Sequence, residues 1–496
     1  MSTLGELLDG IIVESSDILS KYQHCQIDHI TSDSRNVPSN GIVIFFALTG
    51  VHFDGHRFID DVVKKNPNTI IISERAVDAK CLLSIKVDDI NDTMAKVARR
   101  HFRCPDESIG IIAITGTNGK TTTSYLCHSM LCPLLKSAVI GTIAYRICDE
   151  VRDAPNTTPV AIDLFRILSD AKEQQCSVAI LEISSHGLIQ KRAFGLSVDV
   201  AVFTNLTQDH LDYHHDMGQY FDAKKMLFDG RNGPVPKHAI INIDDYYGER
   251  LYKMISQQTH CISFGFSECS DARIVATEYN STAGVSFELH YNDATYYLSS
   301  SLIGRHNIYN IAGGFLASLC INNSPDIFQR ALSGVCGVSG RLENIQLRNG
   351  AHAFVDFAHT PDGLRVVLET LNDAKHHDGR LIVVFGCGGN RDRTKRSPMT
   401  SIVDKYSDIA IITSDNPREE SLESIFDDMR QGIINPSKFS FISDRKDAIQ
   451  QALRMSQEHD IILVAGKGHE RYQIIGNTKY HHSDVEIVQS FNEKIL

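Results

Sequence analysis

The run Thr115-Gly-Thr-Asn-Gly-Lys-Thr-Thr122 has the residue types and the spacing of a phosphate-binding loop. Its two glycines allow backbone N–H groups to turn toward phosphates, and a helix that starts here adds partial positive charge. The Lys120 ammonium can then reach the β- and γ-phosphates of ATP, and the Thr121 hydroxyl can bind Mg²⁺. Ile114 stands where the common pattern has its first glycine, so the match is to a shortened form. The alternative interpretation is a tight strand–helix turn with a surface lysine.

Two further polar residues follow apolar runs that have the character of buried strands. Glu182 lies near the end of the run 177–184, and His210 comes shortly after the run 198–206. A carboxylate, an imidazole and the Thr121 hydroxyl together are credible Mg²⁺ ligands, although histidine is an uncommon one. The alternatives are a carboxylate that acts through water for Glu182 and a helix-capping histidine for His210.

The elements that must position these residues are parallel strands. Continuous apolar runs at 109–116, 177–184, 198–206 and 238–244 are separated by helical patterns, including one at 122–130. Strands that alternate with helices predict a doubly wound α/β domain. In such sheets ligands bind beyond the carboxyl ends of the strands, so the loops after the strands are the places to look for chemistry.

The chain divides into three regions, and we predict an α/β fold with three domains. Residues 1–105, with alternating short strands such as the segment 41–50, form a small N-terminal α/β domain that ends at the Pro-containing break 103–108. Residues 106–339 form the central P-loop doubly wound ATPase domain. Residues 340–496 form a C-terminal Rossmann-like α/β domain, with apolar runs at 351–358, 380–389, 408–416 and 460–468.

Composition narrows the class of protein and of partner. The net charge is -12 over 496 residues, which argues against nucleic acid or an anionic membrane as the main partner. The N-terminus lacks the features of a signal peptide, and no apolar run reaches the ~18 residues that span a bilayer. Twelve cysteines without paired spacing, among them Cys127, Cys132, Cys320 and Cys387, predict buried, reduced thiols. We expect a cytoplasmic monomer that acts on small molecules.

The phosphate loop and a series of other motifs, in order along nearly the whole chain, resemble those of the Mur ligases and the related folylpolyglutamate synthetases. The motifs are Asp33-Ser-Arg35, Asn156-Thr-Thr-Pro159, Glu182-Ile-Ser-Ser-His-Gly187, Thr204-Asn-Leu-Thr-Gln-Asp-His210, Ala223-Lys224, Gly304-Arg-His-Asn-Ile-Tyr-Asn310, Gly340-Arg-Leu-Glu343, Asp356-Phe-Ala-His-Thr-Pro-Asp362, Gly386-Cys-Gly-Gly389, Asp415-Asn-Pro-Arg418 and Gly466-Lys-Gly-His-Glu470. These motifs are most similar to those of family members that extend UDP-N-acetylmuramoyl-L-alanyl-D-glutamate by one amino acid.

The resemblance implies a reaction in which ATP phosphorylates the D-glutamate carboxylate and an amine attacks the acyl phosphate. The implied catalytic residues are Lys120, Glu182, His210, Lys224 and Arg341. The implied ATP-binding residues are Gly116, Thr117, Asn118, Gly119, Lys120, Thr121, Thr122, Asn307, Arg341, Asp356 and His359. The implied Mg²⁺ ligands are Thr121, Glu182, His210 and Lys224 as a carbamate. By composition alone Lys224, which begins the helical pattern 223–230, is a surface lysine.

Two more sets of residues are implied for the two organic substrates. The set for the sugar-nucleotide substrate is Ser34, Asn156, Thr157, Thr158, Ser184, Gln190 and Arg192. The set for the incoming amino acid, meso-diaminopimelate, is Arg391, Asp415, Asn416, Pro417, Arg418, Gly466 and Glu470. An arginine at Arg418 suits diaminopimelate, because a guanidinium binds its distal carboxylate in bidentate fashion and repels the ammonium of L-lysine. The alternative is a turn with a solvated arginine.

Several alternative functions remain open beside a ligase that adds diaminopimelate. Within the same enzymes, the alternatives are a ligase that adds L-lysine or D-Ala-D-Ala, and a folylpolyglutamate synthetase. A P-loop ATPase that performs no ligation is the alternative from a different class. The sequence also departs from the family at Ser339 and Asn390, and its segment 51–53, expected to line a uridine pocket, does not match one common form.

Overall fold

The computed structural model describes residues 2–11, 21–50, 54–278, 284–335 and 337–494. The segment Val51-His-Phe53, which the sequence assigns to a uridine pocket, lies outside the described residues. Among the described residues, no helix is both long and apolar enough to cross a membrane.

The N-terminal region is built on a parallel four-stranded sheet. Its strands, in sheet order, are His29–Thr31, Val43–Phe46, Thr69–Ser73 and Leu83–Lys86. The other elements are the strand pair Ser2–Thr3 and Gln26–Ile27, the helices Leu4–Leu8, Ile59–Lys65 and Ile90–His101, and the 3-10 turns Ser34–Asn36 and Gly55–Phe58. The prediction of alternation at 41–50 is wrong, because the strand Val43–Phe46 is buried on both faces between two separate apolar clusters.

The central region contains an eleven-stranded sheet. Its strands, in sheet order, are Glu150–Asp153, Ala144–Ile147, Ser137–Ile140, Val178–Glu182, Gly110–Thr115, Val200–Phe203, His238–Asn242, His260–Gly265, Ala272–Glu278, Val285–Tyr291 and Ala294–Ser300. The four predicted apolar runs are the parallel strands at its centre. The antiparallel strands at both ends of the sheet were not predicted, since their partly exposed faces lack a continuous apolar pattern.

The helices of the central region cover both faces of this sheet. They are Lys120–Leu131, Ala161–Glu173, Ser185–Ile189, Leu211–His214, Met217–Lys225, Tyr246–Ile255, Arg305–Ile321 and Pro325–Ser333, with the 3-10 turn Pro105–Glu107 at the entry. The helix predicted at 122–130 is confirmed and begins at Lys120, directly after the phosphate loop. The predicted helix start at Lys224 is wrong, because Lys224 lies in the last turn of Met217–Lys225.

The C-terminal region has its own six-stranded sheet. Its strands, in sheet order, are Glu343–Gln346, His352–Asp356, Ile461–Ala465, Leu381–Phe385, Ile409–Ile412 and Phe439–Phe441. The helices are Pro361–Ala374, Arg396–Tyr406, Leu422–Arg430, Arg445–Met455 and Asp484–Lys494, with the 3-10 turn Pro436–Lys438 and the hairpin Tyr472–Ile475 and Thr478–His481. The four predicted apolar runs are buried parallel strands, and the fold is α/β as predicted.

The cysteines bear out only part of what the sequence predicts. Cys127 and Cys387 are buried and carry free thiols, but Cys132 is exposed and Cys320 is half-buried. All cysteines among the described residues are free.

Candidate active site

The phosphate loop joins the strand Gly110–Thr115 to the helix Lys120–Leu131 at the carboxyl end of the central sheet. Gly119 adopts φ +90, and a Cβ there would collide with the amide oxygen of Asn310. The loop is also tied to the neighbouring strand end, because the Thr204 hydroxyl donates to the carbonyl of Asn118 at 2.6 Å. The glycine is therefore required both by the backbone angle and by the close packing.

The Thr121 hydroxyl and the Glu182 carboxylate are in direct contact at the start of this helix. Thr121 Oγ1 donates to Glu182 Oε2 at 2.8 Å, and both residues are buried. Thr142, from the loop after the strand Ser137–Ile140, holds the other side of the carboxylate. Its backbone N–H donates to Oε1 at 3.0 Å and its hydroxyl to Oε2 at 2.9 Å. Two of the predicted metal ligands thus lie together and are fixed in orientation.

Two lysines meet at one carbonyl of the phosphate loop. Lys120 Nζ donates to the Gly116 carbonyl at 2.9 Å, and Lys224 Nζ donates to the same oxygen at 2.7 Å. Lys224 is 1% exposed, so the composition-based expectation of a surface lysine is wrong. Burial, with the nearby Lys120 cation, lowers the pKa of Lys224 well below its usual range. Among the described residues no carboxylate pairs with the Lys224 ammonium.

His210 stands at the mouth of the same region with a partly open side chain, 43% exposed. Its ring lies edge-on to those of His186 and Tyr220, with centroids 4.9 and 6.1 Å away. Desolvation by the surrounding protein lowers the pKa of His210 to about 4, so the imidazole is neutral at pH 7. His210 precedes the helix Leu211–His214 in a left-handed conformation, φ 55, and its side chain makes no capping hydrogen bond. The capping alternative therefore finds no support.

The C-terminal domain contacts the phosphate loop through Arg341 and through Asp362, whose carboxylate accepts from Asn118 Nδ2 at 3.5 Å. Arg341 Nη2 lies 3.2 Å from Thr121 Oγ1, and its guanidinium covers the ring of Phe357 at 4.9 Å. The buried Asp356 carboxylate accepts the backbone N–H groups of Leu342 and Ala358, both at 2.7 Å. Asp356 thereby orders the two loops that present Arg341 and His359.

The other residues predicted for ATP lie at the rim of this region. His359 Nδ1 lies 2.8 Å from the Phe357 carbonyl, and burial lowers its pKa. The Asn307 side chain is buried at the start of the helix Arg305–Ile321, where it donates to the Ile303 carbonyl at 2.8 Å and accepts from Asn310 at 2.9 Å. Asn310 in turn packs against Gly119, which brings the Asn307 helix next to the phosphate loop.

Most residues predicted for the sugar-nucleotide substrate form one cluster beside Glu182. Thr158 Oγ1 donates to the Glu182 carbonyl at 2.9 Å and lies 3.2 Å from Ser184 Oγ. Arg192 donates to the Thr158 carbonyl at 2.7 Å and to Gln190 at 3.0 Å.

The remaining members connect to this cluster in different ways. Thr157 Oγ1 lies 3.1 Å from Thr142 Oγ1, and the Asn156 carbonyl accepts the Tyr145 hydroxyl at 2.6 Å. Ser34 lies apart in the N-terminal region, at the start of the 3-10 turn Ser34–Asn36.

The residues predicted for the incoming amino acid converge in the C-terminal domain. Asn416 Nδ2 donates to Glu470 Oε2 at 3.1 Å, and Arg418 Nη1 donates to the Gly389 carbonyl at 2.8 Å. The Arg391 and Arg418 side chains both lie near Gly388, and burial and then the Arg391 cation lower the pKa of Arg418.

Tight backbone packing supports this cluster. A Cβ at Gly466, φ +113, would crowd the Asp415 carboxylate, and a Cβ at Gly389 would collide with the Pro417 carbonyl. Asp415, Pro417 and Gly466, which are predicted for the incoming amino acid, therefore lie where backbone turns pack closely against each other.

Two residues at the site have no role in the sequence-based assignment. Thr142 follows the carboxyl end of a buried parallel strand, so the strand-end rule that led to Glu182 applies to it as well. Lys467 lies inside the motif Gly466–Glu470 and donates to Glu470 Oε2 at 2.8 Å. A lysine in a glycine-rich turn gives no sequence signal of burial, yet its side chain is 0% exposed.

Comparison with protein families gives two matches. The Mur ligase middle domain matches residues 114–318, and the Mur ligase glutamate ligase domain matches residues 340–468. The match to the middle domain contains the phosphate loop and Glu182, and the second match contains Arg341 and Arg418.

Curated relatives match over most of the chain. The UDP-N-acetylmuramoyl-L-alanyl-D-glutamate–2,6-diaminopimelate ligase of Fusobacterium nucleatum is 39% identical over 469 residues, 93% of each chain. The enzyme of that name from Oceanobacillus iheyensis is 37% identical over 481 residues, 96% of each chain. A solved structure of a ligase of that name is 32% identical, with a TM-score of 0.70 and 99% of each chain covered. The ADP complex of Thermotoga maritima MurF ligase, 18% identical with a TM-score of 0.64 over 94% of this chain and 97% of that one, shares the fold.

Proposed function

This chain belongs to the Mur ligase family, and we propose that it adds meso-diaminopimelate to UDP-N-acetylmuramoyl-L-alanyl-D-glutamate. ATP is the co-substrate, and ADP and phosphate are released with the new amide. The reaction serves the synthesis of peptidoglycan precursors, and we assign it to the cytoplasm, where ATP and nucleotide-linked sugars are available. We propose that a single copy of the chain is sufficient.

The observation that carries this proposal is the meeting of three elements at the Thr121 hydroxyl. Glu182 contacts it from a neighbouring strand end at 2.8 Å, and Arg341 contacts it from another domain at 3.2 Å. A phosphoryl-transfer site requires a carboxylate that binds the metal and a guanidinium that binds the transferring phosphoryl group. An ATPase that only changes its conformation does not need a binding site for an amino acid. The residues predicted for such a site lie in the same domain as Arg341.

The donor set at this site fits Mg²⁺. Thr121 and Glu182 offer hard oxygen ligands, and Glu182 is oriented by Thr142 through both of its carboxylate oxygens. We propose that these two residues, His210 and a carbamate on Lys224 hold the metal. When bound, Mg²⁺ neutralises charge on the phosphates during transfer.

The surroundings of Lys224 support the carbamate. Burial favours the neutral amine, which is the form that adds CO₂, and the Lys224 amine lacks a carboxylate partner among the described residues. A carbamate would place a negative charge next to Lys120, with which Lys224 shares the Gly116 carbonyl. The modification thus replaces a group whose protonated form Lys120 repels with an anion that Lys120 attracts.

We propose that the three regions bring three substrates to this junction. Residues 1–105 with Ser34 bind the UDP part, residues 106–339 bind ATP and the peptide end near Thr157, Thr158 and Arg192, and residues 340–496 bring the amine. Lys120 and Arg341 bind the phosphoryl group during its transfer to the D-glutamate carboxylate. The resulting acyl phosphate is attacked by the amine, and phosphate leaves from the tetrahedral intermediate.

A contact between two loops connects the residues proposed for the incoming amine with the residues proposed for the metal. His469, next to Glu470 in the chain, lies close enough to the backbone of Thr142 for that backbone to raise the pKa of His469, against the larger lowering by burial, and the Thr142 side chain holds Glu182. Docking of the C-terminal domain on the central domain therefore brings the amino-acid cluster and the metal ligands into one arrangement. Domain closure of this kind excludes water from the acyl phosphate.

The amino-acid cluster favours diaminopimelate over lysine. The Arg391 and Arg418 side chains both lie near Gly388, and we propose that they attract the distal carboxylate of diaminopimelate and repel the ammonium of lysine. We propose that Glu470 accepts a hydrogen bond from the distal ammonium of the same ligand.

The test is an incubation of the purified chain with ATP, Mg²⁺ and UDP-N-acetylmuramoyl-L-alanyl-D-glutamate, with diaminopimelate, with L-lysine or without an amine. We expect phosphate release and a product of tripeptide mass with diaminopimelate only. Turnover with lysine instead would contradict the assignment of the amine. Equal ATP hydrolysis in all three samples would favour the non-ligase ATPase.

A further inference from the structure

The fully buried Lys467 side chain contacts two residues of the proposed amino-acid site. Its ammonium donates to Asn416 Oδ1 at 3.1 Å and to Glu470 Oε2 at 2.8 Å, and it lies 5.7 Å from the centre of the Tyr472 ring. The backbone N–H of Ile474, in the hairpin strand Tyr472–Ile475, donates to the same Asn416 oxygen at 2.8 Å.

These contacts decide which end of the Asn416 amide faces the ligand. An amide oxygen that accepts from both an ammonium and a backbone N–H cannot exchange places with the amide nitrogen, since the nitrogen would then face two donors. The Asn416 Nδ2 group is left to donate to Glu470 Oε2 with one hydrogen, at 3.1 Å, and has a second hydrogen available. Lys467 also neutralises one oxygen of Glu470 and leaves Oε1 for another cation.

We propose that Lys467 is a specificity-determining positioning residue that fixes Asn416 as a hydrogen-bond donor to a carboxylate of the incoming amino acid. This inference rests on the proposed function and deepens it. The lysine acts through Asn416 and Glu470 rather than by touching the reacting atoms.

The test compares Lys467→Met with Lys467→Arg and with the matched control Lys479→Met, whose ammonium contacts the same Tyr472 ring at 4.3 Å from outside. We expect Lys467→Met to raise the KM for diaminopimelate about tenfold or more and to reduce the preference over lysine by a similar factor. The KM values for ATP and for the dipeptide substrate stay within about twofold, Lys467→Arg restores part of the loss, and the control behaves as wild type.

A second variant keeps the inference testable if Lys467→Met does not fold. Asn416→Asp retains both accepted hydrogen bonds but replaces the donor with a carboxylate oxygen, so we expect a still larger rise in the KM for diaminopimelate. An unchanged KM in Asn416→Asp, or in a folded Lys467→Met, would overturn the inference. If the wild-type chain does not use diaminopimelate at all, the proposed function itself fails.

An independent feature lies at the opposite end of the central sheet, where two thiols are in contact. Cys148 Sγ and Cys176 Sγ are 3.5 Å apart. The backbone holds both residues against one intervening strand, because Cys148 N donates to the Ser137 carbonyl at 3.3 Å and Ser177 N donates to the Lys136 carbonyl at 2.8 Å. The sulfurs need to approach by only about 1.5 Å to reach the length of a disulfide bond.

One of the two thiols is accessible to small oxidants. Cys148 lines a surface cavity of about 680 Å³ together with Lys136, Arg146 and the exposed Cys132. Cys176 is 4% exposed, and burial raises its pKa to about 12. Cys148 is therefore the thiol that meets an oxidant first, with Cys176 poised behind it as the second partner.

We infer that Cys148 and Cys176 form a reversible disulfide when the protein meets a hydroperoxide. The Cys148 sulfur attacks one peroxide oxygen, the O–O bond breaks, and sulfenic acid and water form. The Cys176 sulfur then attacks the sulfenic sulfur, its proton leaves with the hydroxyl as a second water, and the S–S bond forms. Two thiols are oxidised by two electrons and one hydrogen peroxide is reduced to two waters.

The experiment treats the full chain with hydrogen peroxide, alkylates the remaining thiols and maps the cross-linked peptides by mass spectrometry. We expect a Cys148–Cys176 link that dithiothreitol removes, that Cys176→Ser abolishes and that Cys132→Ser leaves intact. Ligase activity should persist in the oxidised protein, because the link lies at the end of the sheet away from Glu182. Absence of this link, or a Cys132–Cys148 link in its place, would overturn the inference.

Discussion

The ammonium groups of Lys120 and Lys224 both donate to the Gly116 carbonyl, at 2.9 and 2.7 Å. Two cations at one neutral acceptor in a buried site is a costly arrangement. Loss of the proton from Lys224, which burial favours, removes this repulsion, and a carbamate on Lys224 would go further by placing an anion beside Lys120.

Lys224→Met should abolish turnover without destabilising the fold. The variant removes a buried polar group, and the Gly116 carbonyl keeps its hydrogen bond from Lys120, so we expect a melting temperature close to that of wild type. We expect kcat to fall by about 100-fold or more, since a metal-binding anion is lost. Steady-state kinetics and thermal unfolding measure the two effects.

The matched control is Lys225→Met, because Lys225 is the next residue and forms surface ion pairs with Asp222 and Asp229. This variant should keep kcat within about twofold, as surface pairs contribute little. Wild-type protein depleted of CO₂ should lose activity and regain it on addition of bicarbonate. Full activity in Lys224→Met would contradict the assignment.

Thr142→Val should weaken the metal site while preserving the volume of the side chain. The Thr142 hydroxyl donates to Glu182 Oε2 at 2.9 Å, and its loss leaves one carboxylate oxygen less restrained. We expect kcat to fall about tenfold and the Mg²⁺ concentration for half-maximal rate to rise, with Thr142→Ser close to wild type. A Mg²⁺ titration of the rate measures this, and an unchanged titration would exclude a role for Thr142.

Arg341→Met should separate the chemical step from substrate binding. The guanidinium lies 3.2 Å from Thr121 Oγ1, at the loop where we propose that the transferring phosphoryl group develops charge. We expect kcat to fall about 100-fold with a smaller change in the KM for ATP. The surface variant Arg454→Met, whose side chain donates to Gln450 at 3.0 Å, serves as the control and should retain wild-type rates.

Arg418→Met should change the choice of amine. Removal of the guanidinium takes away the attraction for the distal carboxylate of diaminopimelate and the repulsion of lysine, so we expect kcat/KM for diaminopimelate to fall about 100-fold and that for lysine to rise. Competition between the two amines, with products separated by mass, gives the ratio directly. Arg430→Met, at a surface cluster with Glu423 and Asp427, is the matched control. A ratio unchanged in Arg418→Met would assign the selection to other residues.

The parts of the fold that could be predicted from the sequence are those with continuous burial. Strands such as Gly110–Thr115 and Ile461–Ala465 are buried along their whole length, so their apolar runs give a clear signal. The edge strands Glu150–Asp153 and Ala294–Ser300 have exposed positions, and their identity depends on pairing with a partner rather than on their own composition.

Some residues of the site can likewise be predicted from their neighbours in the sequence, whereas others depend on segments that are distant in the chain. Lys120 and Thr121 were predictable, because the loop chemistry is contained in neighbouring residues. The burial of Lys224 and Lys467 is decided by helices and loops that are distant in the chain, and a lysine carries no local sign of burial. Thr142 differs, because it follows a strand end as Glu182 does, but its contact with Glu182, forty residues later in the chain, is set by the tertiary fold.

The central claim is that the γ-phosphate passes to the D-glutamate carboxylate before the amide forms. The most direct test uses UDP-N-acetylmuramoyl-L-alanyl-D-glutamate with ¹⁸O in the reacting carboxylate, together with ATP, Mg²⁺ and diaminopimelate in unlabelled water. Formation and collapse of an acyl phosphate predicts one ¹⁸O atom in each phosphate released, measured by mass spectrometry. Phosphate that carries only oxygen from ATP and water would contradict the acyl-phosphate route and leave ATP hydrolysis uncoupled from ligation.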